Sequence, residues 1–163
     1  MFVIPKPILY LPLNGNACDY TGNRLNGVLV GNNRFIDGRF GHGFKHTDLN
    51  SKLNIPNDTR LKPSQAITVC CWAKATSTVS NNYYHLVTYR ARESLPWQNY
   101  SLTMIDNTSG KISFAINCDN TVVNVAAVDT TTFPLKRWVF VAGTYDKVNI
   151  KLYIDGKLRT VTA

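Results

Sequence analysis

The chain has 163 residues, enough for one domain with a substantial core and too few for two ordinary ones. Hydrophobic residues make up 44% and charged residues 17%, and 18 Lys and Arg against 10 acids leave a net charge of +8. The excess comes as much from scarce acids (nine aspartates and Glu93) as from abundant bases. Those bases stand singly rather than in runs, so a nucleic-acid footprint is weakly supported; ordinary solubility charge is the leading reading, and a basic surface also favours anionic glycans, an acidic partner or a negatively charged cell surface.

The first segment, "MFVIPKPILYLPLNG", is apolar but interrupted by Pro5, Pro7 and Pro12. It lacks a basic region followed by an unbroken apolar stretch, so neither an export signal nor a membrane span is expected from it. The stretch "RFIDGRFGHGFKH", Arg34 to His46, places His42 and His46 four residues apart. On a helix that spacing would suit a metal, but Gly41 and Gly43 flank His42 and make a helix improbable. On a strand the two would share a face about 13 Å apart, too far for one ion. No GK[ST] sequence follows, so a phosphate loop is not supported either. The expected role is chain reversal at Asp37-Gly38, with Phe35, Phe40 and Phe44 anchoring in the core and both histidines incidental at the surface.

From Ala66 onward the chain reads as short strands between turn residues. "AITVCCWAKA" is apolar on both faces at its centre, as befits a strand between another layer and a partly covered surface. Cys70 and Cys71 are adjacent and point to opposite faces. With Cys18 and Cys118 they show no CxxC spacing, which predicts free thiols in a reducing compartment. "HLVTYR", "YSLTMID", "KISFAIN", "TVVNVAAV", "RWVFVAGTYD" and "NIKLYIDGKLRTVT" continue the pattern, rich in β-branched and aromatic residues. Asp155-Gly156, between "IKLYI" and "KLRTV", is a strong hairpin signal. So many short strands imply an all-β antiparallel sandwich, jelly roll or barrel, here one domain over residues 1–163.

Two kinds of site chemistry come into question. Glycosidic cleavage needs two carboxyls across the sugar bond, and the ten acids here are widely separated and mostly in turns. No nucleophile elbow or catalytic cysteine signature is present either, so an enzyme is not expected. Sugar rings also stack on aromatic faces while polar neighbours bind their hydroxyls. The segment "NNYYHLVTYRARESLPWQNYS" offers such a set: Trp97 in a polar loop after Pro96, with Tyr84, Arg90, Asn99 and Tyr100. Trp72 and Trp138 lie inside apolar strands and are expected in the core.

The order of these blocks resembles the laminin G-like, concanavalin A-like lectin/glucanase jelly rolls. "YLPLNGNACDYTGNRLNGVLVGNN" resembles the family's first strand and its Asp-x-x-Gly-Asn…Asn-Gly segment, at Asp19, Gly22, Asn23, Asn26 and Gly27. "FIDGRFGHGFKH" is similar to the following GxxGxG block, "LNIPND…AITVCCWAKA" to the edge and Trp-bearing strands, and "RWVFVAGTYD…IKLYIDGKL" to the Leu-Tyr-x-Asp-Gly hairpin. The resemblance implies a laminin G-like β-sandwich. Relatives usually continue past that hairpin into closing strands, so the domain is expected to be incomplete at its C-terminus, with Lys151 to Thr162 covered by another chain in an oligomer or larger assembly. Some relatives bind calcium, and Asp19 is the matching acid; the alternative is that Asp19 caps its own turn. No other cofactor is implied.

The function expected is a non-catalytic binding or structural module. A surface component of a bacteriophage virion (fibre, decoration or receptor-binding protein) reconciles a mostly extracellular family with the lack of an export signal; its partners are other chains and a glycan or host surface. The alternatives are a glycan-processing enzyme of the same group and a fragment of a secreted, extracellular adhesin.

Overall fold

The computed structural model describes residues 6–48, 50–77, 83–90, 99–105, 110–117 and 125–163. Contacts divide the chain into two compact units, Met1–Lys62 and Pro63–Ala163. Among the described residues no helix is long and apolar enough to cross a membrane.

The N-terminal unit is held by two small antiparallel pairs. Strand β1 (Val28–Val30) pairs with β4 (Lys52–Asn54), and β2 (Asn33–Asp37) pairs with β3 (His42–His46). A short 3-10 turn, Thr59–Leu61, follows, capped by the Asp58 carboxylate, which accepts from Arg60 N–H at 2.9 Å. The β2–β3 reversal depends on glycine. Gly38 N–H donates to Gly41 O at 2.8 Å, and Gly41 has φ +64. A Cβ on Gly38 would lie 2.4 Å from the His42 carbonyl oxygen, so no larger residue fits there. Phe35 and Phe44 sit opposite each other with rings 6.2 Å apart, edge to face. Phe40 does not join them: it is 68% exposed, with the Arg39 guanidinium 5.0 Å from its ring. It stands in the turn rather than on the strand face, so strand alternation cannot carry it inward. His42 and His46 lie on β3 as expected of a strand, but neither is idle. His42 Nδ1 is 3.0 Å from Asn14 Oδ1, and His46 Nδ1 is 2.7 Å from Ser51 O.

The C-terminal unit is a sandwich of two four-stranded antiparallel sheets. One has the order β12-β11-β10-β5, from Lys157–Thr162, Ile150–Ile154, Val139–Tyr145 and Ile67–Ala73. The other has the order β6-β7-β8-β9, from Tyr83–Tyr89, Tyr100–Ile105, Lys111–Ile116 and Val125–Thr132. Every second residue turns inward, as the pleat requires. Leu102, Met104, Ile112, Phe114 and Ile116 from one sheet meet Val139, Val141, Ile150, Leu152 and Ile154 from the other. Each fully buried aliphatic or aromatic side chain contributes about 1.5–3 kcal/mol of transfer free energy. At the centre the Phe114 ring lies against the backbone of Gly143, where a Cβ would fall 2.1 Å from Phe114 Cγ. The Asp155-Gly156 hairpin forms as its sequence implies, with φ 49 and φ 75 at the two turn residues.

Two further details differ from expectation or complete it. Trp72 is not in the core: its neighbours Cys71 and Ala73 take the inward positions, leaving it 38% exposed against Phe140, while Trp138 is half-buried just before β10. At one edge of the sandwich β12 meets β9. Thr160 Oγ1 donates to Val128 O at 2.9 Å and Thr162 Oγ1 to Ala126 O at 3.1 Å. Beside them Arg159 Nε lies 3.7 Å from the buried Asp129 carboxylate.

Candidate functional site

The face of the β6–β9 sheet that turns away from the core carries a groove of about 170 Å³. Its floor is built by strand register. His85 lies opposite Thr103, which lies opposite Ser113; in the next row Ser101 lies opposite Ala115, and Ala115 opposite Ala126. Tyr83 and Ile105 close one end. Because Leu102, Met104 and Phe114 point inward, their neighbours Ser101, Thr103 and Ser113 must point outward. These three are nevertheless almost wholly buried, between 1% and 4% exposed, being short side chains sunk between taller ones. Tyr83, at 60% exposed, is the aromatic face at the rim.

His85 supplies the imidazole of this lining. Its Nδ1 is 2.9 Å from Thr103 Oγ1. Although the residue reaches the surface, desolvation of the ring, helped by the charge of Arg90, pushes its pKa below the usual 6.5. The ring is therefore neutral at neutral pH, with one nitrogen a donor and the other an acceptor. The described lining thus offers hydroxyls, one neutral imidazole and one phenol ring. It can hydrogen-bond a polyhydroxylated ligand without confronting it with charge.

The residues favoured from sequence are distributed differently. Trp97 lies outside the described residues. Tyr84 and Tyr100 pack against the core cluster, and Tyr100 stacks on Tyr89 with ring centroids 5.6 Å apart. Burial, with a smaller effect from Tyr89, pushes the Tyr100 hydroxyl up to about 12. Arg90 is exposed just after β6. Asn99 uses its backbone to tie strand ends together, donating to Tyr89 O at 2.9 Å and accepting from Asn117 N–H at 2.8 Å. The structure therefore brings Tyr83, His85, Ser101, Thr103 and Ser113 into one groove. The sequence did contain a signal for them, the small polar residues alternating with apolar ones in "YSLTMI" and "KISFAI".

Asp19 serves the turn around it. Its carboxylate accepts from Tyr10 N–H at 3.3 Å, Thr21 N–H at 3.0 Å, Leu25 N–H at 3.1 Å and Thr21 Oγ1 at 2.8 Å. Partial desolvation works to raise its pKa, but the donors from Thr21, Leu25 and Tyr10 outweigh it and hold the carboxyl at about 2. A hard cation needs lone pairs, and those of Asp19 face N–H and O–H donors, so this donor set does not fit calcium. Among the described residues no cluster of three or more His, Cys, Asp or Glu is arranged to hold a metal. Cys18, Cys70 and Cys71 are free thiols, and burial pushes the Cys71 thiol up to about 12; Cys118 lies outside the described residues.

Comparison with known proteins follows the same lines. The family model described as the concanavalin A-like lectin/glucanases superfamily matches residues 47–163. Among solved structures the chain is similar to domain 4 of AbnA, a GH43 extracellular arabinanase from Geobacillus stearothermophilus, in complex with arabinotriose. The identity is 16% and the TM-score 0.67, covering 94% of this chain and 73% of that one. It is also similar to the binding domain of Paraclostridial Mosquitocidal Protein 1, with 16% identity and a TM-score of 0.71. That match covers 90% of this chain and 37% of the other, so the chain spans little more than a third of that structure. At such identities the likeness speaks of fold. No curated protein sequence matches the chain.

Proposed function

Since the chain belongs to the concanavalin A-like lectin/glucanase superfamily, we propose that it is a non-catalytic glycan-binding module whose ligand lies in the groove on the β6–β9 sheet. The observation that carries this reading is the groove floor: His85, Thr103, Ser101 and Ser113 place neutral hydrogen-bonding groups beneath an exposed tyrosine ring. Domain 4 of the arabinanase, which shares this fold, holds arabinotriose. Cleavage of a sugar bond uses two carboxyls, and the described lining offers hydroxyls and an imidazole instead.

The test is titration of arabinotriose and a panel of neutral oligosaccharides by calorimetry, with Ser113→Leu as the groove-filling variant. Saturable binding by at least one sugar, weakened about tenfold or more in Ser113→Leu at an unchanged melting temperature, supports the reading. Binding indifferent to Ser113→Leu, or none across the panel, overturns it. Release of reducing sugar from a polysaccharide panel would establish the glycan-processing alternative.

Within this reading the chain is a surface component of a bacteriophage virion, such as a fibre, decoration or receptor-binding protein; an adhesin outside a cell is the alternative. Trp97, Arg90 and Asn99 extend the ligand contact from the segment after β6. Another chain covers the part of Lys151 to Thr162 left open: β12 is the last strand of its sheet, although Thr160 and Thr162 already bond β9 of the same chain. Copurification of the chain with phage particles as a symmetric oligomer tests this narrower assignment.

A further inference from the structure

The other sheet turns a different chemistry outward. Alternation along β5 directs Thr68, Cys70 and Trp72 away from the core, and the register sets Phe140 opposite Trp72 and Tyr153 opposite Ala142. The Trp72 and Phe140 rings are 5.5 Å apart. Leu158, opposite Tyr153 on β12, is 52% exposed. Two lysines border one end of this apolar strip. Lys74 directly follows β5, and Lys136 N–H donates to Ala75 O at 2.7 Å. The Asp155-Gly156 turn is fixed to the strip, because Asp155 N–H donates to Phe140 O and Asp155 Oδ1 accepts from Phe140 N–H. Both lysines are exposed. The nearby Arg137 pairs with Asp155 and Arg159 with Asp129, whereas Lys74 and Lys136 make no ion pair among the described residues.

We propose that this face is a second binding site, for a polysaccharide bearing carboxylate or sulfate groups. The strip of Trp72, Phe140, Tyr153 and Leu158 takes the apolar faces of the sugar rings, and Lys74 and Lys136 take the acid groups. Charge decides between occupants. A second copy docked about a twofold axis along the strands would set lysines against lysines, which is unfavourable. A membrane surface would use groups that reach about 5–10 Å below the headgroups, while Phe140 and Tyr153 are half-buried within a sheet. An acidic polysaccharide needs a shallow aromatic strip with cations at its border, and this face supplies both. The site is independent of the groove, which lies on the other sheet and is lined by neutral groups.

The experiment is affinity electrophoresis through gels containing polygalacturonate, dextran sulfate or uncharged dextran. The wild type is compared with Lys74→Glu/Lys136→Glu, Trp72→Ala, Leu158→Ser and Ser113→Leu, each checked for folding by its melting curve. The expected result is retardation by at least one acidic polymer and not by dextran. It should weaken about tenfold or more in the lysine variant and several-fold in Trp72→Ala, and persist in Ser113→Leu. Should Trp72→Ala fail to fold, Leu158→Ser carries the same prediction, since its side chain is already half outside. Unchanged retardation in the lysine variant overturns the proposal. So does binding that depends on the lysines but not on Trp72 or Leu158, for that is unspecific charge attraction. Capture by vesicles of phosphatidylglycerol and phosphatidylcholine without retardation by either acidic polymer, or a dimer broken by Leu158→Ser, would assign the face to another occupant.

Discussion

The two sheets of the C-terminal unit obey one pleat rule and share one interior, yet their outward faces are opposites. On β6–β9 the outward positions hold serine, threonine, alanine and a neutral histidine, and the result is a groove. On β12-β11-β10-β5 they hold tryptophan, phenylalanine, tyrosine and leucine, bordered by lysine, and the result is a strip. Inward residues are constrained by the neighbouring sheet; outward residues are constrained only by what they meet. The contrast therefore locates function in the half of each strand that packing leaves free.

The comparison breaks most completely at the shared interior. Gly143→Ala pushes a Cβ into the Phe114 ring, and overpacking of that kind costs about 3 kcal/mol. A urea melt should show that loss, and both faces should lose their ligands together, since the two sheets rest on the same contact. If groove and strip failed separately, the shared core would not be what positions them. A smaller effect is expected at the edge. Thr160→Val and Thr162→Val each remove a hydroxyl donor to a β9 carbonyl, at about 1 kcal/mol apiece. Melting and amide exchange should report loosening of β9 and β12 with the Trp72–Phe140 part of the strip intact.

The smallest effect sharpens the comparison by touching the groove alone. The folded-state pKa of His85 lies below 6.5, so the unfolded chain takes up this proton first. Its contribution to stability is complete above pH 6.5 and falls away as the pH drops below that value. His85→Gln should remove this acid-side decline and leave the strip's ligand untouched. A second decline remains at lower pH. Asp19 and Asp58 are held at about 2 against an ordinary 3.8, so their stabilisation is lost between those values, outside the histidine window. Urea midpoints measured every half pH unit separate the two.

Much of the fold was legible because strand spacing and turn chemistry are local. The Asp155-Gly156 hairpin and the strands of the C-terminal unit follow from alternation and glycine positions alone. Facing was harder. Tyr83 and Tyr84 are adjacent, and the irregularity between His85 and Val87 shifts the register that would assign them to faces. Trp72 misleads for a different reason: Cys70 and Trp72 make the outward face of β5 nearly as apolar as the inward one, so hydrophobicity carries no direction there. The groove was obscured by its own composition. Ser101, Thr103 and Ser113 read as ordinary solvent-facing strand residues, and only the register that lines them up across three strands turns them into a floor.

The hydroxyls of Thr160 and Thr162 have a consequence beyond the stability they add. The outer edge of β9 presents carbonyls that would otherwise be available to an approaching strand from another molecule. At Ala126 and Val128 those acceptors are already occupied by side chains of the same chain, while the next acid along, Asp129, is met by arginine. A crowded solution of these molecules should therefore resist edge-to-edge stacking through β9, and the double valine variant should be the first to seed fibrils.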